Sequence, residues 1–227
     1  MRIHIVPPAG FLRTLIRYCF LGLASVCLAV YSYAYLERVL YQSAASRAFD
    51  RAPHDDAAVL AASIDPVTPI GRVVGASRKL WPSSKSPSSA AVIGRLSVKR
   101  LHLSAMVREG IDRHTLELAV GHIPATALPG QAGNIGVAGH RDTFFRGLED
   151  LRNGDEVQFS TLSGNFKYIV ESLMVVEPDN VAVLAASSEN VLTMVTCYPF
   201  SYIGAAPQRF VVRARQVSPP TLASVVE

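Results

Sequence analysis

The chain has 227 residues, 49% of them hydrophobic and 18% charged, with 14 Pro, 15 Gly and 3 Cys. This excludes a disordered polyelectrolyte, which needs low hydrophobicity and high charge. It also excludes a disulfide-stapled miniprotein, which needs a denser cysteine framework. The net charge of +4 does not mark a nucleic-acid binder: residues 1–91 hold ten basic against five acidic side chains, whereas 92–217 hold twelve of each. The basic excess lies outside the part that can fold, so nucleic acid is not an expected partner.

The first element in chain order is residues 18–36, YCFLGLASVCLAVYSYAYL, nineteen residues without a charge. As a helix rising about 1.5 Å per residue, this run matches the roughly 30 Å hydrocarbon core of a bilayer. Arg2, Arg13 and Arg17 precede it, so the positive-inside bias predicts a cytoplasmic 1–17 and an external remainder. Tyr31, Tyr33 and Tyr35 gather at the outer end, where amphipathic rings favour the interface. A cleaved signal peptide is the alternative, but its apolar core usually spans only about 7–15 residues and ends in a small-residue cleavage site. Residues 18–36 are therefore read as one uncleaved transmembrane anchor in the plasma membrane.

Residues 37–91 read as a stalk. The stretch 41–63 is Ala-rich and compatible with helix, but its apolar positions make only a weak stripe. From 65 to 91 the chain turns to Pro, Ser, Gly and basic residues, too little apolar surface to offset the entropy of ordering.

A single domain is expected over 92–217, followed by a tail, 218–227. Val92–Val98 and 101–107 read as short strands, and Arg108-Glu-Gly as a turn. Asp112 is a candidate N-cap for a helical turn through Val120, stopped by Gly121. Asn134–Ala138 reads as a buried strand ending at Gly139-His140. Strands follow at Glu156–Thr161 and 166–177, joined by Ser163-Gly164-Asn165. A helical turn is expected at 181–186, a β-branched core strand at 191–196 and a last strand at 208–217. Seven or eight short strands with little helix predict a mainly β fold, a closed or nearly closed barrel.

Cysteine usage gives the sharpest chemical clue. Cys19 and Cys27 lie in the apolar run, so the external domain holds one cysteine, Cys197. A lone thiol in an oxidising compartment is either a small buried hydrophobe or a residue with a task. Cys197 ends a strand and enters a Tyr-Pro loop, where side chains face clefts. A thiol nucleophile needs a base or ion-pair partner. Of His102, His114, His122 and His140, the best candidate is His140, which ends a buried strand as Cys197 does. His102 and His114 read as surface residues, and His122 as a loop residue. An oxyanion donor is the third need. Arg209 opens the strand after the Cys197 loop and shares a face with Val211 and Arg213 by two-residue alternation. Arg213 lies further along and is the weaker candidate. No spacing of His, Cys and carboxylates suggests a metal.

The segments GNIGVAGHRDTFFRGLEDLRNGDEV and TMVTCYPF, with the downstream Gln-Arg-Phe, resemble the sortases, the membrane-anchored cysteine transpeptidases of bacterial surfaces. The family's Thr-Leu-x-Thr-Cys signature stands here as Thr193-Met194-Val195-Thr196-Cys197, with a volume-conserving Met for Leu. Cys197-Tyr198-Pro199-Phe200 and the short loop before Arg209 are most similar to class D.

By this resemblance Cys197 matches the nucleophile, His140 the family histidine and Arg209 the family arginine, while Thr196 borders the substrate groove. The implied reaction cleaves a Leu-Pro-x-Thr-type C-terminal sorting signal through a cysteine thioester. The protein is then passed to an amine acceptor of the cell envelope or pilus. The implied partners are surface proteins that bear such a signal, and no cofactor is implied. An L,D-transpeptidase would carry Ser-His-Gly-Cys, which is absent. A non-catalytic binding barrel would need no coincidence of Cys197, His140 and Arg209.

Overall fold

A computed structural model of the chain describes residues 9–52 and 91–217. The expected tail 218–227, most of the stalk and the first residues of 1–17 lie outside the described residues.

Helix α1 runs Ala9–Arg51, 43 residues, and contains the whole uncharged run. It is long and apolar enough to cross a membrane. Along that run large apolar side chains such as Leu21, Leu28 and Tyr31 are exposed, as expected of a helix whose solvent is lipid.

The helix continues beyond the apolar run into the Ala-rich stretch that was compatible with helix. Its last turns, from Gln42, belong to the same unit as the barrel. Gln42 Nε2 donates to Leu118 O at 2.7 Å, and its Oε1 accepts from Met106 N–H at 2.9 Å. The Arg95 guanidinium donates to Ser46 Oγ at 2.6 Å and pairs with Asp50 at 2.8 Å, and it lies 5.3 Å from the Phe49 ring centre. The contact is made largely by polar side chains, so the weak apolar stripe gave little sign of it.

Eight strands close into a barrel in the order β1-β2-β3-β4-β7-β8-β6-β5, meeting the expectation of a mainly β barrel. They are β1 Val92–Val98, β2 Leu103–Glu109, β3 Val120–His122, β4 Asn134–Ala138, β5 Glu156–Thr161, β6 Gly164–Val176, β7 Val191–Tyr198 and β8 Gln208–Gln216. Pairing of β1 with β5, Leu96 opposite Phe159, completes the ring and leaves no open edge to template aggregation. The sheet is mixed: β2 and β3 are parallel, as are β4 and β7. Period-two alternation sends Leu96 and Val98, Val157 and Phe159, and Phe166 and Tyr168 into one core. Tyr168 is fully buried, and burial pushes its hydroxyl above the usual phenol range.

Helix α2, Arg113–Leu118, starts at Asp112, whose carboxylate accepts from Thr115 N–H at 3.1 Å and from its hydroxyl at 2.6 Å. These bonds hold the Asp112 carboxyl below its ordinary value. The helix ends before Val120, two residues earlier than expected. Val120–His122 is instead β3, a strand too short to show a period.

Candidate active site

The site is built by the registers of three neighbouring strands. In the antiparallel pair β7–β8, Cys197 stands opposite Arg209, at a Cα spacing of about 4.5–5.5 Å for such pairs. In the parallel pair β4–β7, Ala138 is level with Val195. The match continues past the end of β4: Gly139 N–H donates to Val195 O at 3.2 Å, and Thr196 Oγ1 donates to Gly139 O at 2.8 Å. Two residues beyond Ala138 and Val195, His140 and Cys197 are therefore level too. Carried past the end of β4, this register sets His140 in one row with the paired Cys197 and Arg209.

The row faces away from the core. Leu192 and Met194 are core residues, so Cys197 lies with Thr193 and Val195 on the opposite face of β7. All three residues of the row are half-buried, shielded yet open to a reactant. Behind them the rings of Tyr198, Phe200 and Phe210 pack with centroids 6.0, 6.2 and 5.3 Å apart. This aromatic block flanks Cys197 and Arg209 in sequence and stiffens the strand ends that carry them. Arg209 Nη1 donates to the carbonyls of Ala206, at 3.2 Å, and Gln208, at 3.0 Å. Carbonyls orient the guanidinium without neutralising it, which leaves its charge for an anion.

Thr196 was expected at the border of a groove. The structure places it on the core face of β7, 3% exposed, with its hydroxyl on the Gly139 carbonyl. Its observed contact is with the backbone that carries His140. Arg213 lies opposite Thr193, four residues from Arg209, or about 13 Å by the strand rise. It is not part of the row.

Below the row, the face of β4 and β7 is floored by Gly136, Ala138, Thr193 and Val195. Its far end is closed around Gly136, where a Cβ would come within 3.0 Å of Leu184 and Thr126 and within 3.2 Å of Ile123. Leu184 belongs to a 3-10 turn, Val181–Leu184, which sequence reasoning placed correctly. The residue that anchors it was missed. Buried Asn134 donates to Val183 O at 3.0 Å and Ala185 O at 3.2 Å, while its Oδ1 accepts from Thr193 Oγ1 at 2.7 Å. The signal for this anchor was a polar residue opening a strand of otherwise apolar character.

The remaining histidines lie elsewhere. His102 and His114 are exposed. His122 is buried in β3 rather than lying in a loop, bonded to Glu109 Oε2 at 2.8 Å, Ala127 O at 3.0 Å and Thr126 Oγ1 at 3.0 Å. Among the described residues no group of three or more His, Cys, Asp or Glu is arranged to hold a metal.

The family profile described as Sortase domain matches residues 96–217, which is the barrel from its first strand to its last. The chain belongs to the sortase family. This transpeptidase is 32% identical over 137 residues to Sortase D of Bacillus subtilis, covering 60% of this chain and 69% of that one. It is also 32% identical over 143 residues to Sortase SrtE1 of Streptomyces coelicolor, covering 55% of this chain and 40% of that one. Among solved structures, sortase A of Corynebacterium diphtheriae superposes with a TM-score of 0.54 at 28% identity, over 59% of this chain and 64% of that one. A Clostridium perfringens Sortase D5 transpeptidase superposes with a TM-score of 0.59 over 80% of this chain and 99% of that one. At 22% identity the latter likeness concerns the fold alone.

Proposed function

We infer that this sortase joins proteins to amines through an acyl-enzyme on Cys197, with His140 and Arg209 as its partners. The observation that carries the reading is the pairing of Cys197 with Arg209, beside a β4–β7 register that leads into His140. The substrate is a surface protein with a Leu-Pro-x-Thr-type signal near its C-terminus. The Cys197 thiolate attacks the carbonyl carbon of that Thr, and the carbonyl electron pair moves onto oxygen. Arg209 stabilises that oxyanion, as a pre-oriented charged donor does best in a site screened from water. When the oxyanion collapses, the C–N bond breaks and protonated His140 gives its proton to the leaving amine. An acceptor amine of the envelope or pilus then attacks the thioester, gives a proton to His140 and expels the Cys197 thiolate. The first half alone is an endopeptidase step, so water in place of the amine makes the enzyme a hydrolase.

The basic residues Arg2, Arg13 and Arg17 before the apolar helix support a single-pass anchor with the barrel outside the plasma membrane. Residues 1–17 are then cytoplasmic, 18–36 span the bilayer and 92–217 form the catalytic domain. Thr196 acts through Gly139 as a positioning residue beside the histidine.

The test uses the full-length protein in detergent, a Leu-Pro-x-Thr peptide panel and hydroxylamine as a small acceptor. The expected result is a thioester adduct on Cys197 by mass spectrometry and release of a peptide hydroxamate. Cys197→Ala should give neither, and His140→Ala almost none. An adduct that persists in Cys197→Ala would overturn the assignment.

A further inference from the structure

Residues 199–207 join Cys197 to Arg209, so their conformation sets how both sit against the end of β4. The segment, PFSYIGAAP, has no charged side chain. Within it, Tyr202 N–H reaches Pro199 O at 3.3 Å. Several of its carbonyls instead accept from two arginines that follow β4. Arg141 Nη1 donates to Pro199 O at 3.0 Å, and Nη2 donates to Tyr202 O and to Gly204 O, the latter at 3.1 Å. The same guanidinium lies 5.9 Å from the Tyr202 ring centre. Arg146 Nη1 donates to Phe200 O at 3.1 Å.

Arg141 is the residue next to His140. The backbone there is itself fixed, because Phe145 N–H donates to His140 O at 3.0 Å. The guanidinium thus bridges the two chain segments that carry the row. Three carbonyls spread over residues 199–204 match a planar fork, whereas an ammonium group is a point donor on a flexible stem. Both Nη2 protons are already committed to the loop, so this end of the fork is not free to bind a substrate carboxylate.

We propose that Arg141 is a positioning residue of the transpeptidation: its guanidinium ties the loop between Cys197 and Arg209 to the turn of His140 and keeps the three in register. The proposal rests on the assignment of Cys197, His140 and Arg209 made above. It goes further by naming what holds them together in the absence of substrate.

The experiment compares full-length wild type with Arg141→Ala, Arg141→Gln and Arg141→Lys in detergent, below their melting temperatures. Three readouts are taken: hydrogen exchange over 199–207, the pH profile of Cys197 alkylation by iodoacetamide, and kcat and KM with the peptide panel. Each variant should exchange roughly tenfold faster in 199–207, with the rest of the barrel unchanged. The midpoint of the alkylation profile should move. Turnover should fall about 10²-fold, the size expected when reacting groups are displaced by an ångström, with KM little altered. Lys should rescue none of this.

Unchanged exchange in 199–207, or full rescue by Lys, would overturn the tie. A lowered melting temperature with an unmoved alkylation profile and normal kcat would reduce Arg141 to a structural residue and equally overturn it. Exchange and alkylation need no peptide. If wild type forms no adduct, the reaction assignment fails while these two readouts still decide the role of Arg141.

Discussion

Cys197 and Arg209 face each other directly across the β7–β8 pair, the last-but-one pairing before the strands part. Eleven residues of chain separate them, yet the register makes them neighbours. Replacing Arg209 by Lys keeps the charge and removes the fork. Turnover should fall by roughly 10²–10³, the size of losing an oxyanion donor. Arg213→Ala, opposite Thr193 and off the row, should be far milder. Steady-state kinetics on both variants checks this; a reversed order would refute the strand-register argument.

Gly139 sits between Ala138 and His140 against a fully buried ring. A Cβ there would lie 2.9 Å from Phe145 Cδ2 and 3.1 Å from Cγ and Cε2. Phe145 is 0% exposed and cannot swing away. Gly139→Ala should therefore cost about 1–3 kcal/mol through overpacking. Because the strain falls next to His140, activity should drop even where the protein remains folded. Thermal melts paired with turnover below the melting point separate the two effects.

Asn134 donates two bonds to the 181–184 turn and its exit while accepting one from Thr193. Asn134→Asp keeps the shape but removes the amide donor, leaving two carbonyls facing a carboxylate. The expected loss is about 1–3 kcal/mol for unsatisfied buried groups, with faster hydrogen exchange confined to 181–190. Uniform exchange across the barrel would argue against this anchoring role.

Asp155 accepts from Arg100 Nε at 2.7 Å, from its Nη2, and from Arg152 N–H at 2.7 Å. The Arg100 side chain first, and the Arg152 backbone after it, hold the Asp155 carboxyl below its ordinary value of 3.8. A folded value below the unfolded one means stability that is complete above the ordinary aspartate range. It is lost as pH falls through the lower, folded value. The melting-temperature gap between wild type and Asp155→Asn should hold steady from neutral pH down to about 5 and close below about 4.

The parts of the fold legible in the sequence are those whose apolar pattern has a period. β5 alternates, and β4, β7 and the centre of β8 are short apolar runs, so their existence followed from side-chain pattern alone. The row was legible in part. Cys197 and His140 each end such a run, and Arg209 opens the next strand. Their alignment required the parallel register of β4 with β7, which joins segments far apart in sequence and leaves no local trace. Thr196 and Asn134 were harder still. Each is a buried polar residue whose partner, Gly139 O or the 181–184 turn, is supplied by tertiary structure. β3 escaped because three residues cannot display a period, and its His122 was misplaced with it.

The bonds of Gln42, Ser46 and Asp50 to the barrel make the end of α1 and the strands one cooperative unit that is interrupted in sequence. Asp50 is tied to Arg95 of β1, so the last turns of α1 are held on the first strand of the barrel and should unfold with it rather than fray alone. The same geometry makes a truncation at Val92 a poor choice of boundary, for it strips the partners from Met106 N–H and Leu118 C=O.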